Sequence, residues 1–316
     1  MKKSRTTIVS LTGGLGNQLF QLAAGLYAAQ GEKLSLEWTI GRPRLNANGL
    51  AEISSFQLPE NVSLEKKREN NWLASKSTGY MLRMSFEPKK FEKMVGFFSV
   101  VRGLASLVTS IYFKKPSLLY PGRNVGYYSL GRRAKGNYLV GYFQSYKWAE
   151  EPEVFERLMK LKIAHESTEL SKMRNLADIE QPLIVHIRLG DYKHEDTFGI
   201  LPSAYYENAI QKLWGLGQYK KIWAFSDEPD LAESILSFVP SSHVRWISEI
   251  DNSASMTLEV MRYGQGYVIG NSTFSWWGAF LSYSQNVEVI APKPWFRNNP
   301  APQELIPPRW NSEVSW

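Results

Sequence analysis

Four short clusters carry residue types that can do chemistry, and each follows an apolar run. The sharpest is Leu183-Ile184-Val185-His186-Ile187-Arg188-Leu189-Gly190-Asp191. Its aliphatic stretch reads as a buried parallel strand that delivers polar groups to its carboxyl edge, where open α/β sheets bind ligands. His186 and Arg188 share one face of that strand. A guanidinium is always charged and grips oxyanions at two points, so Arg188 beside a glycine turn suits a phosphate. The plainer alternative is a structural ion pair between Arg188 and Asp191. The second cluster is Gly13-Gly14-Leu15-Gly16-Asn17-Gln18, a glycine turn at a helix start. Such turns expose backbone N–H groups to anions, although many serve packing alone. The third, Ala224-Phe225-Ser226-Asp227-Glu228-Pro229, ends a strand in Ser-Asp and opens a helix at Pro229. Ser226 or Asp227 serves there as a helix cap, as a ligand contact, or as both. The fourth, Gly270-Asn271-Ser272-Thr273-Phe274-Ser275-Trp276-Trp277-Gly278, opens a helix with hydroxyl side chains. A helix N-terminus with added side-chain donors is an anion site, and the two tryptophans read as core.

These clusters need a scaffold of strands and helices. Alternation in the C-terminal half predicts strands at 183–187, 221–225, 243–247, 266–270 and 287–291. Helices are predicted at about 203–214, 229–238, 256–264 and 274–284, which together describe a βαβ parallel-sheet domain. The N-terminal half opens with a strand over Thr6–Leu11. A helix follows whose Leu15, Leu19, Leu22 and Leu26 share one face, then a strand over Leu34–Trp38. From about 41 to 135 the pattern is irregular and helix-leaning, and reads as substrate-facing. A short strand over Tyr138–Tyr142 runs into Gly141-Tyr142-Phe143-Gln144-Ser145, followed by a charged helix over about Glu150–Lys162. A polar linker at about 164–181 places the boundary between an N-terminal domain, 1–170, and a C-terminal domain, 171–316, with a Pro- and Trp-rich tail expected to pack back on the first domain.

Composition narrows the chemistry. With 37 basic and 30 acidic residues among 316, the net charge is +7, which favours anionic partners. The basic residues are scattered and form no stripe interleaved with aromatics, so nucleic acid is not an expected partner. The absence of cysteine excludes disulfides, zinc thiolates and a cysteine nucleophile. No Asp-x-Asp, Gly-x-Ser-x-Gly or His-Glu-x-x-His occurs, so no metal site is expected, and His194, Glu195 and Asp196 read as a solvated loop. No apolar leader follows Met1, so the expected location is the cytoplasm. Val95–Phe113 is apolar with basic flanks, and reads as a core helix, as a helix lying on an anionic membrane face or, least readily, as a span.

Gly14-Leu15-Gly16-Asn17-Gln18, His186 through Asp191, Phe225-Ser226-Asp227 and Asn271 through Gly278 together resemble the bacterial α-1,2-fucosyltransferases of glycosyltransferase family 11. The resemblance spans most of the chain. Many members carry a second basic residue after the arginine, where this chain has Leu189. The resemblance implies an α/β, GT-B-like fold of two Rossmann-like domains facing a cleft, with the donor in the C-terminal domain. It implies inverting, metal-free transfer of L-fucose from GDP-β-L-fucose to O2 of a terminal β-galactoside. The acceptor would be a bacterial surface glycan, lipid-linked at the inner face of the membrane. Arg188 would meet the charge on the leaving diphosphate. Gly14, Gly16, Gln18, Ser226, Asp227, Asn271, Ser272, Thr273, Phe274 and Ser275 would bind the donor. Asn17 would orient phosphate or fucose, and His186 or Asp191 would be the base or would only orient Arg188. Another fucosyl linkage, or a nucleotide-sugar-binding protein without turnover, are the alternatives.

Overall fold

The computed structural model describes residues 6–39, 43–67, 138–164, 167–194, 198–248, 250–251, 253–298, 301–302, 304–311 and 314–316. Two compact units are distinguished: Met1–Leu161 with Pro302–Leu305, and Lys162–Ala301 with Ile306–Trp316. Each is a parallel sheet with helices packed on it, so the expected α/β, GT-B-like plan of two Rossmann-like domains is met.

In the first unit the strands are β1 (Thr6–Ser10), β2 (Lys33–Trp38), β3 (Val62–Lys66) and β4 (Tyr138–Val140). They lie in the order β3-β2-β1-β4, all parallel. Helix α1 (Leu15–Ala29) buries Leu15, Leu19, Leu22 and Leu26 and packs on β1 and β2. Gly25 permits that approach, because a Cβ there would meet Val9 Cγ2 at 2.8 Å and Leu34 Cδ1 at 3.0 Å. The helix ends where Gln30 and Gly31 take positive φ, of 48° and 82°.

One expectation fails in this unit. Strand β3 lies inside the stretch read as helix-leaning. It sits at the sheet edge, and pairing with β2 (Leu34 with Val62 through Trp38 with Lys66) sets its conformation where apolar periodicity is weak. The helix expected near 150–162 is α3 (Pro152–Met159), and a short α2 (Tyr146–Ala149) precedes it. The Ser145 hydroxyl caps α2 by accepting from the Lys147 N–H, and Pro152 can only start a helix. Residues 68–137, with the Val95–Phe113 segment, lie outside the described residues.

The second unit runs α4 (Thr168–Glu180), β5 (Pro182–Ile187), α5 (Ser203–Trp214), β6 (Lys221–Ser226), α6 (Pro229–Ile235), β7 (Val244–Trp246), α7 (Ala254–Met261), β8 (Gly266–Val268), α8 (Thr273–Phe280) and β9 (Glu288–Ile290). The order is β7-β6-β5-β8-β9, all parallel, with the wholly buried β5 at the centre. Leu183, Val185 and Ile187 face a core with Tyr205, Tyr206, Ile210 and Leu213, which leaves His186 and Arg188 on the other face. Trp276 and Trp277 are fully buried, as expected for core. Trp276 stacks on Phe280 at 4.5 Å and tilts against Trp310 at 5.3 Å. The tail bridges β9 in parallel, Ile290 to Asn311, while the Tyr146 hydroxyl in the first unit donates to Glu304 at 3.0 Å.

Each sheet reverses its strand order once, between β1 and β4 in one unit and between β5 and β8 in the other. At such a reversal the following connections leave in opposite directions and open a crevice beyond the strand ends. Every cluster singled out in the sequence follows a strand at or beside one of these two points.

Candidate active site

In the second unit β5 and β8 deliver their ends side by side. Arg188, one residue past β5, is held by two carboxylates. Its Nη2 donates to Asp191 Oδ1 at 2.7 Å, and Nη1 lies 3.1 Å from Asp227 Oδ2. Its guanidinium also lies over the Tyr192 ring, 5.6 Å from the centroid. The side chain keeps 19% exposure, and that of Asp191 keeps 52%. A fixed cation thus stands at the strand end with one counter-ion that solvent already reaches.

Asp227, from the end of β6, has a second task. Its Oδ1 accepts from the Leu189 N–H at 3.0 Å and so shapes the turn that carries Arg188. Gly190 makes room for it, since a Cβ at 190 would fall 2.3 Å from Asp227 Oδ2. Asp227 thus braces both Arg188 and the turn that carries it. Ser226 accepts from the Glu228 N–H at 3.0 Å and acts as a turn cap.

His186 is buried beside Phe274, with ring centroids 6.1 Å apart and Nδ1 without a hydrogen-bond partner. Burial, helped by the Arg188 guanidinium and opposed more weakly by Asp227, lowers its pKa to about 3. The ring is therefore held neutral, with the Phe274 ring beside it.

At the end of β8, Asn271 donates from Nδ2 to the Phe198 and Gly199 carbonyls at 2.9 and 3.1 Å, pinning that loop to the strand end. Ser272 caps α8 by accepting from the Phe274 N–H, and the Ser275 hydroxyl donates back to the Ser272 carbonyl. Of the expected donor set here, Asn271, Ser272 and Ser275 are therefore buried and used locally, while Thr273 and Phe274 stay partly exposed at the helix start. Tyr192 escaped the sequence reading. Its hydroxyl donates to the Asn271 carbonyl at 3.1 Å, its ring stacks on Phe198 at 4.7 Å, and its face meets Arg188. Only the fold brings those three segments together. Residues 195–197 lie outside the described residues.

In the first unit the glycine turn already has a partner from the chain at the first N–H of α1. The Leu15 N–H donates to Glu52 Oε2 at 2.6 Å, so a carboxylate of the chain itself occupies the start of α1. Burial raises the Glu52 pKa, against the opposing pull of the Leu15 N–H and of Arg44. Gln18 is a brace: it donates to the Gly13 and Arg44 carbonyls and accepts from the Ile53 N–H. Gly16 is buried in the first turn of α1, and Gly14 lies against Glu52 and Arg44. Asn17 stays partly exposed and accepts from Gln144 Nε2 at 2.9 Å.

Among the described residues, no group of three or more His, Asp or Glu is arranged to hold a metal ion.

Comparison with known proteins places this geometry. The model of glycosyl transferase family 11 matches residues 111–312. An alpha-1,2-colitosyltransferase of Escherichia coli is 26% identical over 315 residues, covering 95% of this chain and 97% of the relative. The O-antigen biosynthesis glycosyltransferase WbnK of Escherichia coli is 37% identical over 119 residues, covering 36% of this chain and 39% of the relative. Among solved structures, the fucosyltransferase NodZ from Bradyrhizobium shares the fold, with a TM-score of 0.50 at 15% identity over 89% of this chain and 94% of NodZ.

Proposed function

The chain belongs to glycosyl transferase family 11, and from that premise we propose that it is an inverting galactoside α-1,2-fucosyltransferase. The donor is GDP-β-L-fucose and the acceptor O2 of a terminal β-galactose in a bacterial surface glycan of the O-antigen type. The observation that carries this reading is Arg188, a partly exposed guanidinium held at the order reversal of a parallel sheet beside the start of α8.

In the reaction the acceptor O2 attacks the fucose anomeric carbon from the face opposite GDP. The bond from that carbon to O2 forms as its bond to the β-phosphate oxygen breaks. GDP leaves with the bonding electrons, and Arg188 meets the added charge, as a metal ion does in other transferases. For this, Nη2 exchanges Asp191 for a phosphate oxygen, while Nη1 stays on Asp227. Thr273 and the Phe274 backbone support the diphosphate at the start of α8. Asn17 offers amide N–H donors to an oxygen of the substrates. Asp191, released toward solvent, is the carboxylate of this set with freedom to take the O2 proton. An oxocarbenium-like transition state asks little of its base.

A second reading differs only in the sugar: the relative that aligns over 95% of the chain is named as a colitosyltransferase, so colitosyl in place of fucosyl is the competing donor. We further propose a cytoplasmic protein that works at the inner membrane face. Among the described residues no helix is long and apolar enough to cross a membrane. Flotation with anionic liposomes tests the attachment, and failure to float removes it.

The deciding experiment is sugar transfer from GDP-fucose to lactose and N-acetyllactosamine in EDTA, with the product linkage read by NMR. An α-1,2 product supports donor, linkage and metal independence together. Binding of GDP without transfer or hydrolysis of GDP-fucose moves the reading to the other donor or to a binding protein. Failure to bind GDP removes the argument about Arg188.

A further inference from the structure

The order reversal of the first unit carries a polar arrangement that the proposed reaction does not yet use. Gln21 spans it, accepting from the Thr12 N–H at 3.1 Å and donating to the Gly141 carbonyl at 2.8 Å, so the ends of β1 and β4 are tied together. Beyond this tie the chain turns sharply. Phe143 is fully buried with φ of 53°, a left-handed conformation that costs a bulky residue energy. That turn delivers Gln144, only 3% exposed, against Asn17. Gln144 Nε2 donates to Asn17 Oδ1 at 2.9 Å, while Gln144 Oε1 is buried without a hydrogen-bond partner. A strained turn and an orphaned buried carbonyl in adjacent residues are what a fold built for stability alone avoids.

We propose that Gln144 is a positioning residue that sets the polarity of the Asn17 amide. With Oδ1 engaged by Gln144, Asn17 has its Nδ2 hydrogens to offer. Nδ2 lies against Gly13, whose φ of 73° and missing side chain leave the space, since a Cβ there would fall 2.5 Å away. The ligand recognised is then an oxygen lone pair, on phosphate or sugar, and not a hydroxyl hydrogen. This inference rests on the role given to Asn17 in the proposed function.

The test exploits donor and acceptor identity. In Gln144→Glu the carboxylate, once ionised, only accepts, so at a pH high enough to ionise it Asn17 must turn Nδ2 inward and present Oδ1. Single-turnover fucose transfer is compared for Asn17→Ala, Gln144→Glu and the double variant, with thermal melting of each. We expect Gln144→Glu to lower the rate on the order of 10²-fold, the scale of a misplaced catalytic group, with the melting temperature held. In the Asn17→Ala background the same change should lower it no further. A Gln144→Glu enzyme within about twofold of wild type, the scatter of such comparisons, overturns the proposal, as does an equal loss in both backgrounds. Full activity in Asn17→Ala removes the role of Asn17 itself, which is a failure of the proposed function and separable from this one. Should Gln144→Glu not fold, Gln144→Met keeps the volume, removes the polarity and enters the same cycle.

Discussion

Arg188 differs from a surface arginine in its pair of carboxylate partners. Asp227 shapes the turn and fixes Nη1, while Asp191 is half exposed and can yield. Replacing Arg188 by Ala should lower kcat on the order of 10²–10³-fold, the loss seen for a strong oxyanion donor, with GDP affinity reduced as well. Arg188→Lys should recover little, because an ammonium cannot hold Asp227 and a phosphate oxygen in one plane. Steady-state transfer and GDP titration check both. His186 makes a separate prediction. Its folded pKa of about 3 lies below the ordinary imidazole value of 6.5, so the unfolded chain binds the proton first as pH falls. The stability tied to the neutral ring is complete above pH 6.5 and is lost as pH falls toward 3, at most about 1.4 kcal/mol per pH unit. Urea unfolding across that range should show this slope in the wild type and a shallower one in His186→Phe.

At the level of elements, function depends on where strands stop. The turn after β5 works because Gly190 lets Asp227 approach. Gly190→Ala should displace that carboxylate and lower the transfer rate about tenfold or more while leaving the sheet intact, since orientation losses of this kind reach 10²-fold. Circular dichroism with kinetics separates the two effects. The packing of α7 against α8 depends on a buried ion pair. Arg262, 1% exposed, donates to Glu259 Oε2 at 2.8 Å and to the Leu281 carbonyl at 2.9 Å, and lies 4.1 Å over the Tyr283 ring. Glu259→Ala leaves a buried cation with one partner fewer, and should destabilise the unit by about 3–5 kcal/mol in urea unfolding. The elements themselves were largely legible, because parallel buried strands announce themselves as aliphatic runs and Gly or Pro marks their ends. Strand β3 was not, since an edge strand rich in charge takes its conformation from its neighbour.

For the whole molecule, the net charge of +7 would favour the approach of the diphosphate donor proposed above. The KM for GDP-fucose should therefore rise several-fold between low and physiological salt while kcat stays level, because screening weakens approach and not chemistry. Transfer rates across a sodium chloride series check this, and a KM indifferent to salt would confine the electrostatics to Arg188.

By itself the sequence determined the class of fold, the family and the strand-end clusters, since each of these rests on residues within one turn of each other. Which groups of those clusters already have partners was decided by contacts that no local pattern encodes. Glu52 fills the start of α1 from 37 residues away, and Gln144 meets Asn17 across 127. Asp227 reaches the Leu189 N–H across 38. Those partners engage the start of α1, brace the turn that carries Arg188, and set a buried glutamine against Asn17. Sequence spacing fixes which side chains share a strand face, whereas only the folded sheets decide which of them already have a partner.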